Sequence, residues 1–299
     1  MAPVAPVKVV LVGAKGMLAQ MVARCAPPEY QIVPLDLPEF DLTDVTLVER
    51  TFQAEKPAIV INCAAFTQVD ACETEEALAI RVNGDGPGNL ARAALGINAT
   101  LVHISTDYVF DGLATTPYKE TDPTAPQSAY GRSKLLGEEA IRQSGLEKYF
   151  IVRTSWLYGP GGKNFVETIL RLAAERDELR VVADQVGGPT FTGDLAQGLF
   201  KLLALKRTPQ AANGLYGIYH FANSGQCSWY DFAREILTLA QERGLPTKVK
   251  QIVAIRTEDY PLPARRPAYS VFDSKKYQRV TAAKIPGWEV SLRTYFDIR

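Results

Sequence analysis

The sequence lacks net charge and has few histidines: its 299 residues include 33 Lys plus Arg, 33 Asp plus Glu and only two His. Proteins that bind nucleic acid or anionic membranes through their overall field carry an excess of basic residues. We therefore expect neither nucleic acid nor a membrane as a partner. No stretch approaches the roughly 18 apolar residues of a spanning helix. The first residues also lack the basic start of a signal peptide, which predicts a cytoplasmic protein.

The four cysteines are too scattered to indicate a metal site or a disulfide framework. Cys25, Cys63, Cys72 and Cys227 include no C-x-x-C pair and have no histidine at metal-ligand spacing. Both histidines, His103 and His220, lie in apolar runs and are predicted to be core residues rather than ligands. We therefore expect reduced thiols and predict no metal ligand.

Apolar runs of strand length alternate with helical patterns through the first half of the chain. The run at 7–12 is followed by a glycine turn and an amphipathic helix, and further apolar runs occupy 31–36, 57–65, 99–110 and 149–159. Such alternation produces right-handed crossovers and a parallel sheet covered by helices on both faces. The sequence therefore predicts an α/β protein with a Rossmann-like, doubly wound parallel sheet.

The alternation loosens after residue 158, where Gly-rich and Pro-rich segments appear. We predict a dinucleotide-binding domain over residues 1–158, to which later segments around 180–222 return. Residues 159–299 are then mainly a smaller C-terminal lobe that binds substrate. The three prolines between 259 and 268 predict an extended path in that lobe.

The first strand ends in a glycine turn with the spacing G-x-x-G-x-x-A. Gly13 allows a tight exit from the strand, Gly16 allows backbone N–H groups to approach a pyrophosphate, and Ala19 allows close packing of helix on strand. Asp36 ends the second predicted strand, at about the distance where an acid binds the adenine ribose. The alternative is a turn that merely needs glycine.

Tyr130 and Lys134 lie four residues apart at the start of a predicted helix, so both project from one face. An ammonium beside a phenol lowers the phenol pKa and makes it a better proton donor to a ketone. The preceding strand ends in Thr106 and Asp107, at the sheet edge where ligands bind in this architecture. The alternatives are an exposed helical pair and a polar turn or helix cap.

In this order, the chain contains segments that together resemble the dTDP-4-dehydrorhamnose reductase family of extended short-chain dehydrogenases: VVLVGAKGMLA, DLTD, INCAAFTQVDACE, HISTDYVFDG, YGRSKLLGE, VRTSWLYG, NFV, DQVGGPT and RRPAYS. The resemblance covers nearly the whole chain. It implies reduction of the 4-keto group of dTDP-4-dehydro-6-deoxy-L-mannose to dTDP-L-rhamnose with a nicotinamide cofactor.

The resemblance also implies roles for individual residues. Tyr130 would be the proton donor, and Lys134 would bind the ribose and modulate the pKa. Thr106 and Asp107 would contact the sugar and Trp156 would pack against it, unless Trp156 only fills the core. The residues implied to hold the dinucleotide, besides Tyr130 and Lys134, are Gly13, Gly16, Met17, Leu18, Asp36, Asp41, Leu42, Ala64, Ala65 and Thr67.

Two further residues are predicted to meet the nucleotide-sugar phosphates. Asn164 follows a Gly-rich loop and resembles a phosphate-binding position, although a helix cap would explain it equally well. Arg266 has the guanidinium geometry suited to a diphosphate, although surface arginines are common.

Several alternatives stay open at this stage. The chain could be another nucleotide-sugar enzyme, an epimerase or a dehydratase, or a non-catalytic dinucleotide-binding subunit like the regulatory β subunit of methionine adenosyltransferase. We expect NADH or NADPH, with NADH used at least as well, because Asp36 would repel a 2′-phosphate. Some family members bind magnesium at a dimer contact. A homodimer and a magnesium ion are therefore compatible with the resemblance, but no acids can be assigned to the metal.

Overall fold

The computed structural model describes residues 5–207 and 214–299, and a six-stranded parallel sheet forms its centre. The strands lie in the order β10-β5-β4-β3-β1-β2. Their bounds are β1 Val7–Val12, β2 Tyr30–Leu35, β3 Ile59–Asn62, β4 Thr100–Thr106, β5 Tyr149–Thr154 and β10 Gly217–His220. This arrangement confirms the predicted doubly wound α/β fold.

Helices cover both faces of the sheet. Their bounds are α1 Met17–Cys25, α2 Val45–Glu55, α3 Glu76–Ala79, α4 Gly86–Gly96, α5 Ala129–Gln143, α6 Phe165–Glu175, α7 Thr192–Ala204, α8 Trp229–Glu242, α9 Lys275–Thr281 and α10 Trp288–Ile298. A π-helical segment, Ile80–Asp85, joins α3 to α4.

Alternation along the strands explains the two cores. In β1, Val9 and Leu11 pack with α1, α6, α7, α8 and α10, whereas Val10 and Val12 pack with α2, α4 and α5. Successive side chains of a strand point to opposite faces, so a strand buried on both faces is apolar throughout. The near-continuous apolar runs of the sequence are the result.

Strand order reverses between β1 and β3, because β2 lies on one side of β1 and β3 lies on the other. In open α/β sheets, ligands bind in the crevice outside the carboxyl ends of the strands at such a reversal. The turn after β1 and the loop after β3 therefore meet at the expected binding edge.

Within residues 157–207 and 214–255, strands outside this sheet form three two-stranded pairings. β6 (Leu157–Tyr158) pairs with β9 (Thr190–Phe191), β7 (Glu178–Val182) with β12 (Gln251–Ile255), and β8 (Val186–Gly187) with β11 (Cys227–Ser228). Within the same stretch, α7 packs on α1 and β10 adds to the sheet edge. The chain thus leaves the central sheet and returns to it.

The proline-rich segment after a short 3-10 turn, Thr257–Asp259, forms neither helix nor strand over residues 260–268. His103 and His220 are both fully buried, which confirms their prediction as core residues. All four cysteines are free thiols. Among residues 5–207 and 214–299, no helix combines the length and apolar character needed to cross a bilayer.

Candidate active site

The glycine turn after β1 lies directly against the loop after β3. Gly13 has a φ of +77°, and a Cβ at this position would lie 2.6 Å from the backbone nitrogen of Ala64. Both the conformation and the space therefore require glycine. Gly16 caps α1 with extended backbone and without a side chain, so the helix N-terminus is open to an anionic group.

The carboxylate of Asp36 binds the backbone of the glycine turn and of the residue that follows Asp36. Its two carboxylate oxygens accept hydrogen bonds from the N–H of Lys15 at 2.6 Å and the N–H of Leu37 at 2.8 Å. The Lys15 ammonium donates to the Leu37 carbonyl. The Asp36 carboxylate thus binds two backbone N–H groups, and the Lys15 ammonium is held at the next residue, Leu37.

The other residues predicted to hold the dinucleotide lie around the same edge. Met17 and Leu18 begin α1, and the Leu18 side chain is buried in the core. Asp41 accepts from the N–H of Thr43, and Leu42 is buried. Ala64, Ala65 and Thr67 follow β3 in one loop.

The π-helical segment anchors the loop after β3. The side chain of Asn83 accepts from the N–H of Phe66 at 2.8 Å and donates to the carbonyl of Phe66 at 3.0 Å. It also donates to the hydroxyl of Ser133 on α5 at 3.0 Å. π-Bulges in helices are frequent at functional sites. Here the bulge fixes the loop against the helix that carries Tyr130 and Lys134.

Tyr130 is the second residue of α5, whose N-terminus is capped by the Ser128 hydroxyl. Burial raises the pKa of Tyr130 above its ordinary value, and the Asp107 carboxylate adds to the rise, whereas a hydrogen bond to Thr106 opposes it. The expectation that the Lys134 ammonium lowers this pKa is therefore wrong for the cofactor-free protein. The physical reason is that desolvation of the phenolate dominates.

Lys134 is almost fully buried, with 2% of its surface exposed. Its Nζ donates to the carbonyl of Ile104 at 2.7 Å and lies 3.3 Å from Nε2 of His103. Burial lowers the pKa of Lys134 to about 8, although the charges of Glu138 and Cys63 oppose the shift. The amine therefore titrates near neutral pH rather than near 10.

Thr106 and Asp107 end β4 beside Tyr130. The Thr106 hydroxyl donates to Asp107 Oδ1 at 3.0 Å and accepts from the N–H of Tyr108 at 3.2 Å. Among the described residues, Asp107 Oδ2 is buried without a hydrogen-bond partner. Burial raises the pKa of Asp107 to about 6, and interactions with the side chains of Ser270 and Thr106 oppose the rise. A buried, unpaired carboxylate oxygen is costly unless a ligand group satisfies it.

A cleft of about 920 Å³ opens beside these residues. Tyr108 lines it and packs edge-on against Tyr130, with ring centroids 5.5 Å apart. Trp156 lines it too, but one face of its indole stacks on Trp229 at 3.4 Å. Its backbone has a φ of +47°, rare for a bulky residue. Trp156 and Trp229 thus form a rigid aromatic wall of the cleft.

The cleft also carries four arginines: Arg176, Arg180, Arg265 and Arg266. Arg266 is held by Asp70, with two N–O contacts at 2.5 and 2.7 Å, so the residue predicted to meet a diphosphate already has an anionic partner. Arg176 and Arg180 form no ion pair with another described residue. These two arginines were not predicted from the sequence.

Asn164 lies at the N-cap of α6. Its Oδ1 accepts from the N–H of Glu167 at 3.1 Å, and its Nδ2 donates to the carbonyl of Gly159 at 2.9 Å. These bonds are those of a helix cap that also closes the Gly-rich loop. Contact with substrate phosphates stays a prediction for Asn164.

Asn62, Asn83 and Trp229 were not predicted from the sequence, and His103 was predicted only as a core residue. Asn62 and His103 are polar residues inside strands that are otherwise apolar and buried on both faces, and this mismatch is a usable signal. Trp229 follows the capping residue Ser228 directly, and no local signal marks it. In the described part of the chain, no group of three or more His, Cys, Asp or Glu is placed to hold a metal ion.

Comparison with known proteins identifies the family. The family model described as "RmlD substrate binding domain" matches residues 7–298. A dTDP-4-dehydrorhamnose reductase of Burkholderia thailandensis is 42% identical over 95% of this chain and 96% of its own length. The chain belongs to the dTDP-4-dehydrorhamnose reductase family.

Two further similarities refine this placement. A crystal structure of the dTDP-4-dehydrorhamnose reductase of Bacillus anthracis in complex with NADP is 40% identical, with a TM-score of 0.90 over 98% of this chain and 100% of that chain. A probable dTDP-4,6-dihydroxy-2-methyloxan-3-one 4-ketoreductase of Streptomyces antibioticus is 40% identical over 96% of this chain and 93% of its own length. The dTDP-4-dehydrorhamnose reductase family thus includes relatives named for different keto sugars.

Proposed function

We propose that the protein reduces the 4-keto group of dTDP-4-dehydro-6-deoxy-L-mannose to dTDP-L-rhamnose, using NADH or NADPH. The observation that carries this proposal is the convergence of Tyr130, Lys134 and Thr106 at the carboxyl edge of the sheet. A large cleft with aromatic and cationic walls opens beside them. Relatives at about 40% identity over the full chain are named for this reaction.

The cofactor site fits a dinucleotide. The tight turn at Gly13, the open N-terminus of α1 at Gly16 and the acid at Asp36 are the three parts of a dinucleotide-binding edge. When bound, the reduced nicotinamide supplies a hydride to the carbonyl carbon. Tyr130 and Lys134 lie on the helix next to the loop 63–69, where the nicotinamide end would bind.

Tyr130 holds the proton that the reaction needs. Because burial keeps the phenol protonated, Oη carries a hydrogen at every pH near neutrality. As the carbonyl oxygen gains negative charge, the phenol donates its proton to that oxygen. Thr106 orients the phenol, and the Lys134 ammonium stabilises the phenolate that is left.

The cleft beside Tyr108 supplies the contacts with the diphosphate and the sugar of the substrate. Arg176 and Arg180 are exposed cations on this surface, and guanidinium groups bind phosphate oxygens in pairs. Arg266 joins them by exchanging its contact with Asp70 for one with the diphosphate. Asp107 accepts a sugar hydroxyl through Oδ2, and the wall of Trp156 and Trp229 packs against the sugar.

The carboxylate of Asp36 should make the protein use NADH at least as well as NADPH. A 2′-phosphate would meet the Asp36 carboxylate charge against charge. The Lys15 ammonium binds the carbonyl of Leu37, the residue after Asp36, and its positive charge would reduce the repulsion. The cofactor in the Bacillus anthracis structure is NADP, so we propose a preference rather than exclusion of NADPH.

The keto sugar named for the Streptomyces antibioticus relative is the second candidate substrate, because that relative is as similar as the named rhamnose reductases. A dehydratase activity fits these residues less well. Water elimination requires an acid pair after Thr106, and here the single acid Asp107 is followed by Tyr108. Purified protein should be assayed with both keto sugars. A specificity constant higher for dTDP-4-dehydro-6-deoxy-L-mannose supports the first assignment, and the reverse order supports the second.

We also propose that residues 1–158, with α7 and β10, form the dinucleotide-binding domain, and that most of residues 159–299 bind substrate. Four free thiols favour a cytoplasmic protein. A homodimer is a further prediction from the family, and gel filtration of the purified protein tests it.

A further inference from the structure

His103 lies in β4 between Asn62 and Lys134 and contacts both side chains. Its Nδ1 lies 3.0 Å from Nδ2 of Asn62, and its Nε2 lies 3.3 Å from Nζ of Lys134. Both His103 and Asn62 are fully buried, so water does not compete for these contacts. Lys134 has a role in the proposed reaction, whereas His103 has none.

The orientation of the Asn62 amide follows from its second partner. The N–H of Ala64, in the loop after β3, donates to Asn62 Oδ1 at 3.1 Å. With Oδ1 taken, Nδ2 of Asn62 donates to Nδ1 of His103. A neutral imidazole that accepts at Nδ1 carries its hydrogen at Nε2. That hydrogen points at Lys134.

The charge of Lys134 decides whether the hydrogen at His103 Nε2 has an acceptor. An amine has a lone pair and accepts from Nε2–H, whereas an ammonium has only donors. Protonation of Lys134 therefore requires Nε2 to accept and Nδ1 to carry the hydrogen. Asn62 must then turn Oδ1 toward Nδ1–H, and the N–H of Ala64 loses its acceptor. Protonation of Lys134 therefore works against the hydrogen bond from the Ala64 N–H to Asn62.

We propose that His103 is a positioning residue, which couples the protonation of Lys134 to the tautomer of its own ring and to the hydrogen bond that holds the cofactor loop at Ala64. The role given to Lys134 rests on the proposed function, whereas the coupling itself is a property of the cofactor-free protein. Its consequence is that the pH at which Lys134 gains its charge also sets the state of the loop after β3.

The charged groups around Lys134 and His103 allow Lys134 to gain or lose its proton in an accessible pH range. Lys134 faces Glu138 on its own helix and Cys63 after β3, and Glu138 is already held by Arg153 at 2.7 Å. The pKa of Lys134 is about 8. Burial, with the Lys134 charge, keeps the pKa of His103 well below its usual range, so this ring stays neutral as Lys134 titrates.

The test is the pH dependence of the histidine tautomers in the cofactor-free protein. With histidine labelled by ¹⁵N, long-range ¹H–¹⁵N correlation spectra between about pH 6.5 and 9.5 distinguish the two tautomers in a chain with only two histidines. We expect His103 to change from Nδ1–H to Nε2–H as the pH rises through about 8. The amide signal of Ala64 should move with the same midpoint.

His220 is the internal control. Its Nδ1 lies 3.0 Å from the carbonyl of Tyr118, which accepts Nδ1–H, so His220 should keep that tautomer throughout. In Lys134→Met, His103 should show Nε2–H at every pH.

A His103 tautomer that is constant with pH in the unmodified protein overturns the proposal. So does the same switch in Lys134→Met. Neither readout depends on turnover, so failure here is distinct from failure of the proposed reaction.

Discussion

Replacing Asp107 with Asn should stabilise the fold increasingly as the pH rises. Burial raises the pKa of Asp107 from 3.8 to about 6, and Oδ2 has no partner among the described residues. Between these pH values the folded protein binds a proton that the unfolded chain has released. The stability of the unmodified protein therefore falls as the pH rises through this window.

The size of the effect follows from the shift. About two pH units, at about 1.36 kcal/mol each, correspond to about 3 kcal/mol once Asp107 is ionised in both states. About 1 kcal/mol of this is already present at pH 4.5. The difference in unfolding free energy between Asp107→Asn and the unmodified protein should therefore grow by about 2 kcal/mol between pH 4.5 and 7.5. A fixed cost of the new amide cancels in this comparison.

Urea unfolding at several pH values measures the difference, provided that the slope with denaturant is unchanged. Asp111→Asn is a control of opposite sign, because the Tyr118 hydroxyl donates to Asp111 at 2.6 Å and lowers the pKa of that carboxyl. This variant should lose stability relative to the unmodified protein as the pH rises. A difference for Asp107→Asn that is constant or shrinks with pH would refute the reasoning.

Three further predictions concern catalysis and recognition. Tyr130→Phe should lower kcat by at least about 100-fold with little change in cofactor affinity, measured by fluorescence titration; near-normal turnover would remove Tyr130 from its role. Asp36→Ala should shift the ratio of specificity constants at low salt toward NADPH and Lys15→Ala toward NADH, and unchanged ratios would contradict the charge argument. Trp229→Ala should raise KM for the keto sugar more than it lowers kcat, because it frees the Trp156 indole; unchanged KM would exclude the aromatic wall from substrate binding.

The sheet was predictable because its signal is local and repeated. Runs such as 7–12 and 57–65 are almost entirely apolar, which is typical of strands buried on both faces. The glycine turn was predictable for a similar reason, since Gly13 has a conformation and a contact that no other residue tolerates. The four-residue spacing of Tyr130 and Lys134 indicated a candidate pair, and the roles that the family resemblance implies for them stay predictions.

Contacts between distant segments were not predictable. Arg266 lies nearly 200 residues after Asp70, so no local sequence pattern predicts their ion pair. Trp156 stacks on Trp229, more than 70 residues later in the chain, and no local pattern predicts this contact either. The pKa of Tyr130 was predicted in the wrong direction because its spacing from Lys134 says nothing about burial, and desolvation outweighs the neighbouring charge. Spacing predicts which side chains share a face, whereas burial depends on the rest of the chain.

The central claim is that this chain reduces a dTDP-linked 4-keto sugar to the L-rhamno alcohol. The most direct measurement supplies dTDP-4-dehydro-6-deoxy-L-mannose and NADH or NADPH to the purified protein, follows the loss of absorbance of the reduced cofactor, and identifies the product by NMR. We expect one cofactor oxidised for each sugar reduced, with dTDP-L-rhamnose as the product. Absence of cofactor oxidation by folded protein, or a product other than dTDP-L-rhamnose, would contradict the claim.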